Sequence, residues 1–253
     1  MYEEANIEYS APNGVVAINT ITNYNDAGTT LTSIKQGEQV DYIDIYSQAK
    51  NAKMDVVVVN NNENTVSNLA ILGRIPFKGV KDLTTGKDLG TTVDTKMING
   101  IVADESNSGS FTVYYSEKED ANKDLSDESN GWKITPESFD NIKSYLIVPN
   151  DTNYQMEAKQ VLKFSYEYEV PENLSHNENI YGTFLAYYTN NSEIATVDET
   201  SKPDLVGLTT GAGPELELSM KSDAKEVRAL EEFKTTMTIK NVGQDIANDV
   251  AIK

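Results

Sequence analysis

The sequence predicts an all-β chain assembled from sandwich units, and three observations lead there: strand-period alternation along most of its length, turn chemistry between the alternating stretches, and a segment that occurs twice. Alternation comes first. In Phe164-Ser165-Tyr166-Glu167-Tyr168-Glu169-Val170 the apolar residues fall on one face and the polar ones on the other, as a half-buried strand requires. The same reading places strands at Val15–Thr22, Val40–Tyr46, Met54–Asn60, Ser67–Arg74, Ser110–Ser116, Ile142–Val148, Val161–Val170, Gly182–Thr189, Leu216–Met220, Thr235–Asn241 and Asp249–Ile252. Val56-Val57-Val58-Val59 is a continuous apolar run, which predicts a strand covered on both sides.

Between these stretches lie clusters of Asn, Asp, Gly, Ser and Thr, such as Asn60-Asn61-Asn62-Glu63-Asn64, which is turn chemistry. Helix signals are sparse. Pro136–Asn141, with Thr135 as N-cap, predicts a single turn. Ala224–Glu232 is rich in helix formers but sits between strands at hairpin spacing and reads as strand or loop. Many short strands with polar turns specify a two-sheet sandwich of the immunoglobulin-like class.

The third observation is the repeat. Met54–Leu72 (MDVVVVNNNENTVSNLAIL) aligns without a gap on Thr235–Lys253 (TTMTIKNVGQDIANDVAIK), bringing Asn60 onto Asn241 and Ala70-Ile71 onto Ala251-Ile252. Both stretches read as a β-hairpin with an asparagine turn. A weaker match joins Gly14–Asn25 to Gly182–Asn191 at a similar offset. On this reading residues 1–48 are closing strands of a preceding repeat, 49–211 a complete β-sandwich repeat, and 212–253 opening strands of the next. A lone hairpin is marginal in water, so the terminal strands should pack on the central unit, pair with each other, or carry exposed edges. Gly207–Gly213, between Pro203 and Pro214, reads as the linker between units.

Composition narrows the function. With 40 acidic against 21 basic residues the net charge is −19, which disfavours nucleic acid and anionic membrane surfaces as partners. Cysteine is absent, which removes thiol chemistry and the disulfide of antibody-type domains. No apolar run approaches membrane-spanning length and no signal peptide follows Met1, so export signals are expected outside these residues.

In its order of segments the sequence resembles the long tandem-repeat proteins of Gram-positive bacterial cell surfaces, whose immunoglobulin-like repeats have no assigned function. The resemblance runs over roughly residues 49–253. It rests on Thr238–Ile252 (TIKNVGQDIANDVAI), on LAILGRIPFKG leading into a Pro-containing turn, on Trp132 after FTVYYSEKED, on KQVLKFSYEYEVP ending in Val-Pro, and on Tyr181–Tyr188 as a closing strand. It implies an extracellular, cell-wall or cell-surface location, neighbouring repeats of the same chain as partners, and no catalytic residues. Lys–Asn or Lys–Asp crosslinks occur in some such sandwiches, with Lys159 and Lys163 as the lysines to consider.

The search for chemistry returns little. His176 is the sole histidine and lies in a polar loop, and no Gly-x-Ser-x-Gly elbow accompanies it, so a solvated loop histidine is the simpler reading. Zinc has too few ligands of its preferred kinds. Calcium is the metal to weigh: Asp120, Asn122, Asp124, Ser126 and Glu128 place oxygen side chains at alternate positions, but Leu125 stands where the loop needs Gly and Gly131 where a bidentate Glu should close it. An acidic hairpin tip explains the same residues. Strand tyrosines are expected to bury their rings at the core edge with hydroxyls in water, and Trp132 to anchor a core. The expected function is a non-enzymatic stalk or spacer, with an adhesin-type module gripping a protein or glycan as the alternative.

Overall fold

The computed structural model describes residues 14–25, 30–35, 41–43, 49–172, 174–175, 177–191, 196–210, 216–223, 233–241, 247 and 250–251. Among them the strands in chain order are β1 (Val15–Asn25), β2 (Thr30–Lys35), β3 (Asp41–Ile43), β4 (Ala49–Asn60), β5 (Val66–Arg74), β6 (Lys96–Met97), β7 (Val102–Ala103), β8 (Phe111–Ser116) and β9 (Ser144–Pro149). They continue with β10 (Gln155–Met156), β11 (Val161–Glu169), β12 (Asn179–Tyr181), β13 (Thr183–Asn191), β14 (Thr196–Ser201), β15 (Gly207–Thr210), β16 (Leu216–Ser222) and β17 (Thr235–Asn241). The helical content of these residues is two single 3-10 turns, Glu105–Asn107 and Glu128–Asn130.

Two antiparallel sheets of the described residues face each other as a β-sandwich. One sheet runs β2-β1-β4-β11-β6, with β7 also on β11; the other runs β14-β13-β5-β9-β8, with β10 also on β5. Alternation explains the first sheet. Along β11 Leu162, Phe164, Tyr166 and Tyr168 are buried, and across from them on β4 lie Met54, Val56 and Val58. From the second sheet Leu69, Ile71, Tyr145, Ile147, Phe184 and Ala186 complete the core. Tyr145, Tyr166 and Tyr168 are wholly inside rather than at a wet edge, and burial pushes all three phenols up. Gly73 is required here, because a Cβ on it would lie 2.0 Å from the Tyr145 ring.

Val56–Val59 is not covered on both sides. Val56 and Val58 face the core, while Val57 and Val59 are half-buried on the outer face, in rows with Ile18 and Lys163, and with Val16 and Val161. The two-sided strand is β5. Leu69 and Ile71 point into the core, and Leu72 and Arg74 on the opposite face are buried as well. A bulge at Asn68, with φ of 53°, sets this register against β13.

Met54–Leu72 is not a hairpin. β4 and β5 belong to different sheets, so the asparagine turn is an arch across the sandwich. Asn60, buried to 0% exposure, holds it: its Nδ2 lies 2.9 to 3.0 Å from the carbonyls of Asn64, Met156 and Glu157, and its Oδ1 accepts from the N–H of Asn62 at 3.1 Å. A side chain that satisfies an arch's backbone explains the residue on which the sequence repeat is centred.

The boundary expected at residues 48 and 49 does not divide the packing. β1 pairs with β4 from Val15↔Asn60 to Asn25↔Ala49, and Val15, Ala17 and Ile21 enter the same core. Gly207–Thr210 is not linker but a buried strand, parallel to β3 and antiparallel to β12 in a small third sheet. Pro136–Asn141 forms bends and a turn without helix. β13 does not occupy the place of β1, since it pairs with β5 and β14 in the second sheet. The strand expected at Asp249–Ile252, the segment Ala224–Glu232 and His176 fall wholly or partly outside the described residues.

β16 and β17 form a separate antiparallel ribbon, from Leu216↔Asn241 to Ser222↔Thr235. Val15 pairs with Asn60 and Leu216 with Asn241, so an earlier strand meets each repeat-matched asparagine strand in the same register, directly preceding it for β17 and with β2 and β3 between for β4.

Candidate functional site

The outer face of the second sheet is where side-chain chemistry concentrates. Tyr114, Leu146, Leu72 and Leu185 form one row across four strands, and Ser116, Ser144, Arg74 and Thr183 form the next. Leu146 is 0% exposed although it points away from the main core. Its cover is the polar loop 117–131, which leaves β8 and folds back over the sheet.

Short polar side chains at close spacing let this loop satisfy its own backbone. Asp124 Oδ1 accepts from the N–H of Ser126 at 2.9 Å and its hydroxyl at 2.6 Å. Asp127 Oδ1 does the same with Ser129, at 3.0 and 2.6 Å, and so caps the second 3-10 turn. Gly131, in the left-handed region at φ 62°, ends that turn. Asn130 is the hub. It is 3% exposed; its Oδ1 accepts from the Asn122 N–H at 2.9 Å, and its Nδ2 donates to Asn122 Oδ1 at 3.0 Å and to the Asp124 carbonyl at 2.8 Å.

Side chains of the sheet hold the loop, and Ser116 Oγ accepts from the Lys118 N–H at 3.0 Å. Ser116 Oγ donates to the Asn130 carbonyl at 2.5 Å, Ser144 Oγ donates to the Lys118 carbonyl, and Arg74 Nη2 donates to the Ala121 carbonyl at 2.6 Å. Burial lowers the Arg74 guanidinium to about 10, against the opposing pull of Asp120, Tyr187 and Tyr145. Lys123 Nζ sits 4.7 Å from the centre of the Tyr187 ring.

The five residues weighed as calcium ligands are all exposed and lie on this loop. The Asn122 and Asp124 side-chain oxygens are directed at the loop's own N–H groups, Glu128 stands in the first turn of the 3-10 segment, and Asp120 acts on Arg74 through charge. Hydrogen bonds from Ser126 and Ser129 hold the Asp124 and Asp127 carboxyls below their usual range. Among the described residues no three His, Asp or Glu side chains come together as a metal site would need. Trp132 is half-buried and donates from its indole N–H to the Asn122 carbonyl at 3.0 Å, so it braces the loop rather than anchoring the core.

Lys159 Nζ reaches Glu63 at 2.7 Å and the Asn61 carbonyl at 2.8 Å; Lys163 Nζ is 3.4 Å from Asp55. Both are substantially exposed, unlike the buried lysine a crosslink needs. Beside the loop, Asn68, Lys123, Tyr187, Thr189, Asp198 and Glu199 line an open cleft of about 400 Å³. A second long loop, residues 76–95, sends Phe77 and Val80 into the core and is latched by Asp82, which is 7% exposed and accepts from the N–H and hydroxyl groups of Thr84 and Thr85 and from Lys202 Nζ at 2.5 Å. Arg74, Asn130 and Asp82 were not singled out from sequence. The available signal was an arginine closing an apolar strand, which reports cover on the strand's other face.

No protein-family profile and no curated protein matches the chain. Among solved structures, a variant of BcpA, the major pilin subunit of Bacillus cereus, overlaps 90% of this chain and 55% of its own at 12% identity and a TM-score of 0.38. The C-terminal 35 kDa fragment of the major pilin GBS80 of Streptococcus agalactiae overlaps 79% of this chain and 57% of its own, at 10% identity and a TM-score of 0.30. The chain therefore spans a little over half of each of these structures.

Proposed function

We propose that the chain is a non-enzymatic spacer segment of a bacterial cell-surface protein, with a sandwich unit over residues 14–210 and the opening strands of a second unit in β16 and β17. One observation carries the reading. The sequence match superposes Asn60 on Asn241, and the strand pairing, which the match does not contain, places Val15 and Leu216 opposite them in the same register. Repeated units in contact with their neighbours alone make a quasi-linear array, the architecture of a spacer. The acidic surface and the resemblance to cell-surface repeat proteins support an extracellular setting.

A strand transplant tests it. Replacing residues 54–60 by the sequence of 235–241 is expected to leave one cooperative melting transition at a reduced Tm, because the core positions stay apolar or uncharged. A scrambled seven-residue insert is expected to abolish the transition. If the transplant unfolds the chain as completely as the scramble, the unit reading is wrong.

The second reading is a binding module, and the cleft beside Tyr187 favours it. Binding to an array of glycans that is lost on Tyr187→Ala would support this reading. Against it stands the scarcity of exposed rings: among the described residues Phe233 is the one aromatic among the large exposed hydrophobic side chains.

A further inference from the structure

Among the described residues two asparagines directly precede a glycine, Asn99 before Gly100 and Asn130 before Gly131, and the fold treats them oppositely. Asparagine is a thermolabile side chain. A following glycine leaves its carboxamide most open to attack, because no Cβ shields the next backbone nitrogen.

Asn130 is locked. It is 3% exposed, its side-chain amide makes three hydrogen bonds, and the Gly131 N–H is held by the Glu128 carbonyl at 3.1 Å. Asn99 is the converse. It lies exposed in the bend between β6 and β7, and among the described residues neither its side chain nor the Gly100 N–H has a hydrogen-bond partner.

Packing explains the glycine. A Cβ on residue 100 would lie 2.9 Å from Tyr115 Oη and 3.3 Å from Phe139 Cζ, two rings that meet edge to face at 5.2 Å. The next N–H along, of Ile101, donates to Tyr115 Oη at 2.7 Å. The close approach that excludes a side chain at Gly100 thus leaves its nitrogen unshielded beside Asn99.

We propose that Asn99–Gly100 is a site of spontaneous covalent modification in the folded chain, with water as co-reactant. The Gly100 nitrogen gives up its proton and bonds to Asn99 Cγ, while the Cγ–Nδ2 bond breaks. Nδ2 takes up that proton and leaves as ammonia, and a five-membered succinimide remains. Water then opens the ring at either carbonyl, giving aspartate or isoaspartate, each with one more negative charge. In isoaspartate the main chain runs through Cγ and is longer by one methylene carbon, next to the Tyr115 and Phe139 contact. β6 and β7 each pair with β11 at only two positions, so this lengthening loosens them from the edge of the first sheet.

The site is independent of the spacer reading. To test it, the full chain is incubated at mildly alkaline pH, folded and in urea, and tryptic digests are followed by mass spectrometry. Cleavage after Lys96 and Lys118 isolates Asn99, and cleavage after Lys123 and Lys133 isolates Asn130. In the folded chain Asn99 is expected to convert at least about tenfold faster than Asn130, equivalent to an opening cost of roughly 1.4 kcal/mol for loop 117–131. In urea the two rates should converge. Asn99→Gln should remove the conversion from the first peptide and leave Tm unchanged. Chain bearing isoaspartate, separated by anion exchange and scored with an isoaspartate-specific methyltransferase, is expected to melt about 3 °C lower, the shift of one lost buried hydrogen bond. Asn99→Asp, which adds the charge without the extra carbon, should melt with the native chain. Equal rates at the two sites in the folded chain, a gap that persists in urea, or no conversion at Asn99 while the urea-treated chain converts would each overturn the proposal. An isoaspartate fraction with native Tm would overturn the loosening of β6 and β7.

Discussion

The two sheets of the sandwich treat their outer faces in opposite ways. Behind the first, Val57 and Val59 are half-buried, in rows with Ile18 and Lys163 and with Val16 and Val161. Behind the second, Leu72, Leu146 and Leu185 are buried beneath a loop made almost wholly of polar and acidic residues. Hydrophobicity along a strand therefore fails as a guide to which strand has two dry sides. What decides is whether a neighbouring segment can satisfy its own backbone while lying on the sheet. Loop 117–131 does so with aspartate and asparagine side chains folded back on their own N–H groups.

The strongest way to break this contrast is a matched pair of truncations. Leu146→Ala is expected to cost about 3 kcal/mol in urea unfolding, and Val57→Ala under about 1 kcal/mol, because only the first leaves a buried cavity. Equal costs would mean that the loop does not exclude water from the sheet. Removing the hub comes next. Asn130→Ala leaves the Asn122 N–H and the Asp124 carbonyl without their part-buried partner and is expected to cost about 2 kcal/mol, with Trp132 emission shifting to the red as its brace loosens.

Acid separates the two loops. Burial alone would raise the Asp82 carboxyl, but hydrogen bonds from Lys202, Thr84 and Thr85 outweigh it and hold the group well below the usual carboxylate range. Its stabilisation is complete above the unfolded value of about 4 and fades as the pH falls from there toward the lower folded value. Asp82→Asn should therefore lose about 1.5 kcal/mol at pH 7, and the gap from the native chain should close in melts below about pH 4. A gap that does not narrow between pH 4 and pH 2 would assign the effect to packing. The smallest expected effect is that of calcium. With the loop's Asn122 and Asp124 oxygens already engaged, about 2 mM calcium should leave Tm unchanged, and a rise would identify loop 117–131 as an ion site after all.

Much of this architecture was readable in the residues. Alternation over Phe164–Val170 located β11, read as Val161–Val170 and observed as Val161–Glu169, with its buried face, and Thr235–Asn241 was bounded as the structure has it. Two- and three-residue strands such as Lys96–Met97 and Asn179–Tyr181 were invisible, because pairing and not pattern defines an element that short. The arch at Asn60 was mistaken for a hairpin since both need the same turn residues, and only the sheet that receives β5 distinguishes them. Loop 117–131 drew notice for the oxygen side chains of Asp120, Asn122, Asp124, Ser126 and Glu128. Oxygen side chains at alternate positions suit a cation and equally suit backbone N–H groups, and the choice between the two depends on where the chain bends.

The long pairing of β1 with β4 bears on how such a unit would respond to tension. Val15 lies opposite Asn60 at one pole, whereas Thr210 belongs to the small sheet beside β12, which leads into β13 where Thr183 meets Arg74 at the far pole. A pull through residues 14 and 210 would drag β1 lengthwise past β4. Because cross-strand hydrogen bonds lie perpendicular to the strands, such sliding loads the eleven-residue ladder together, in shear, rather than peeling it one rung at a time.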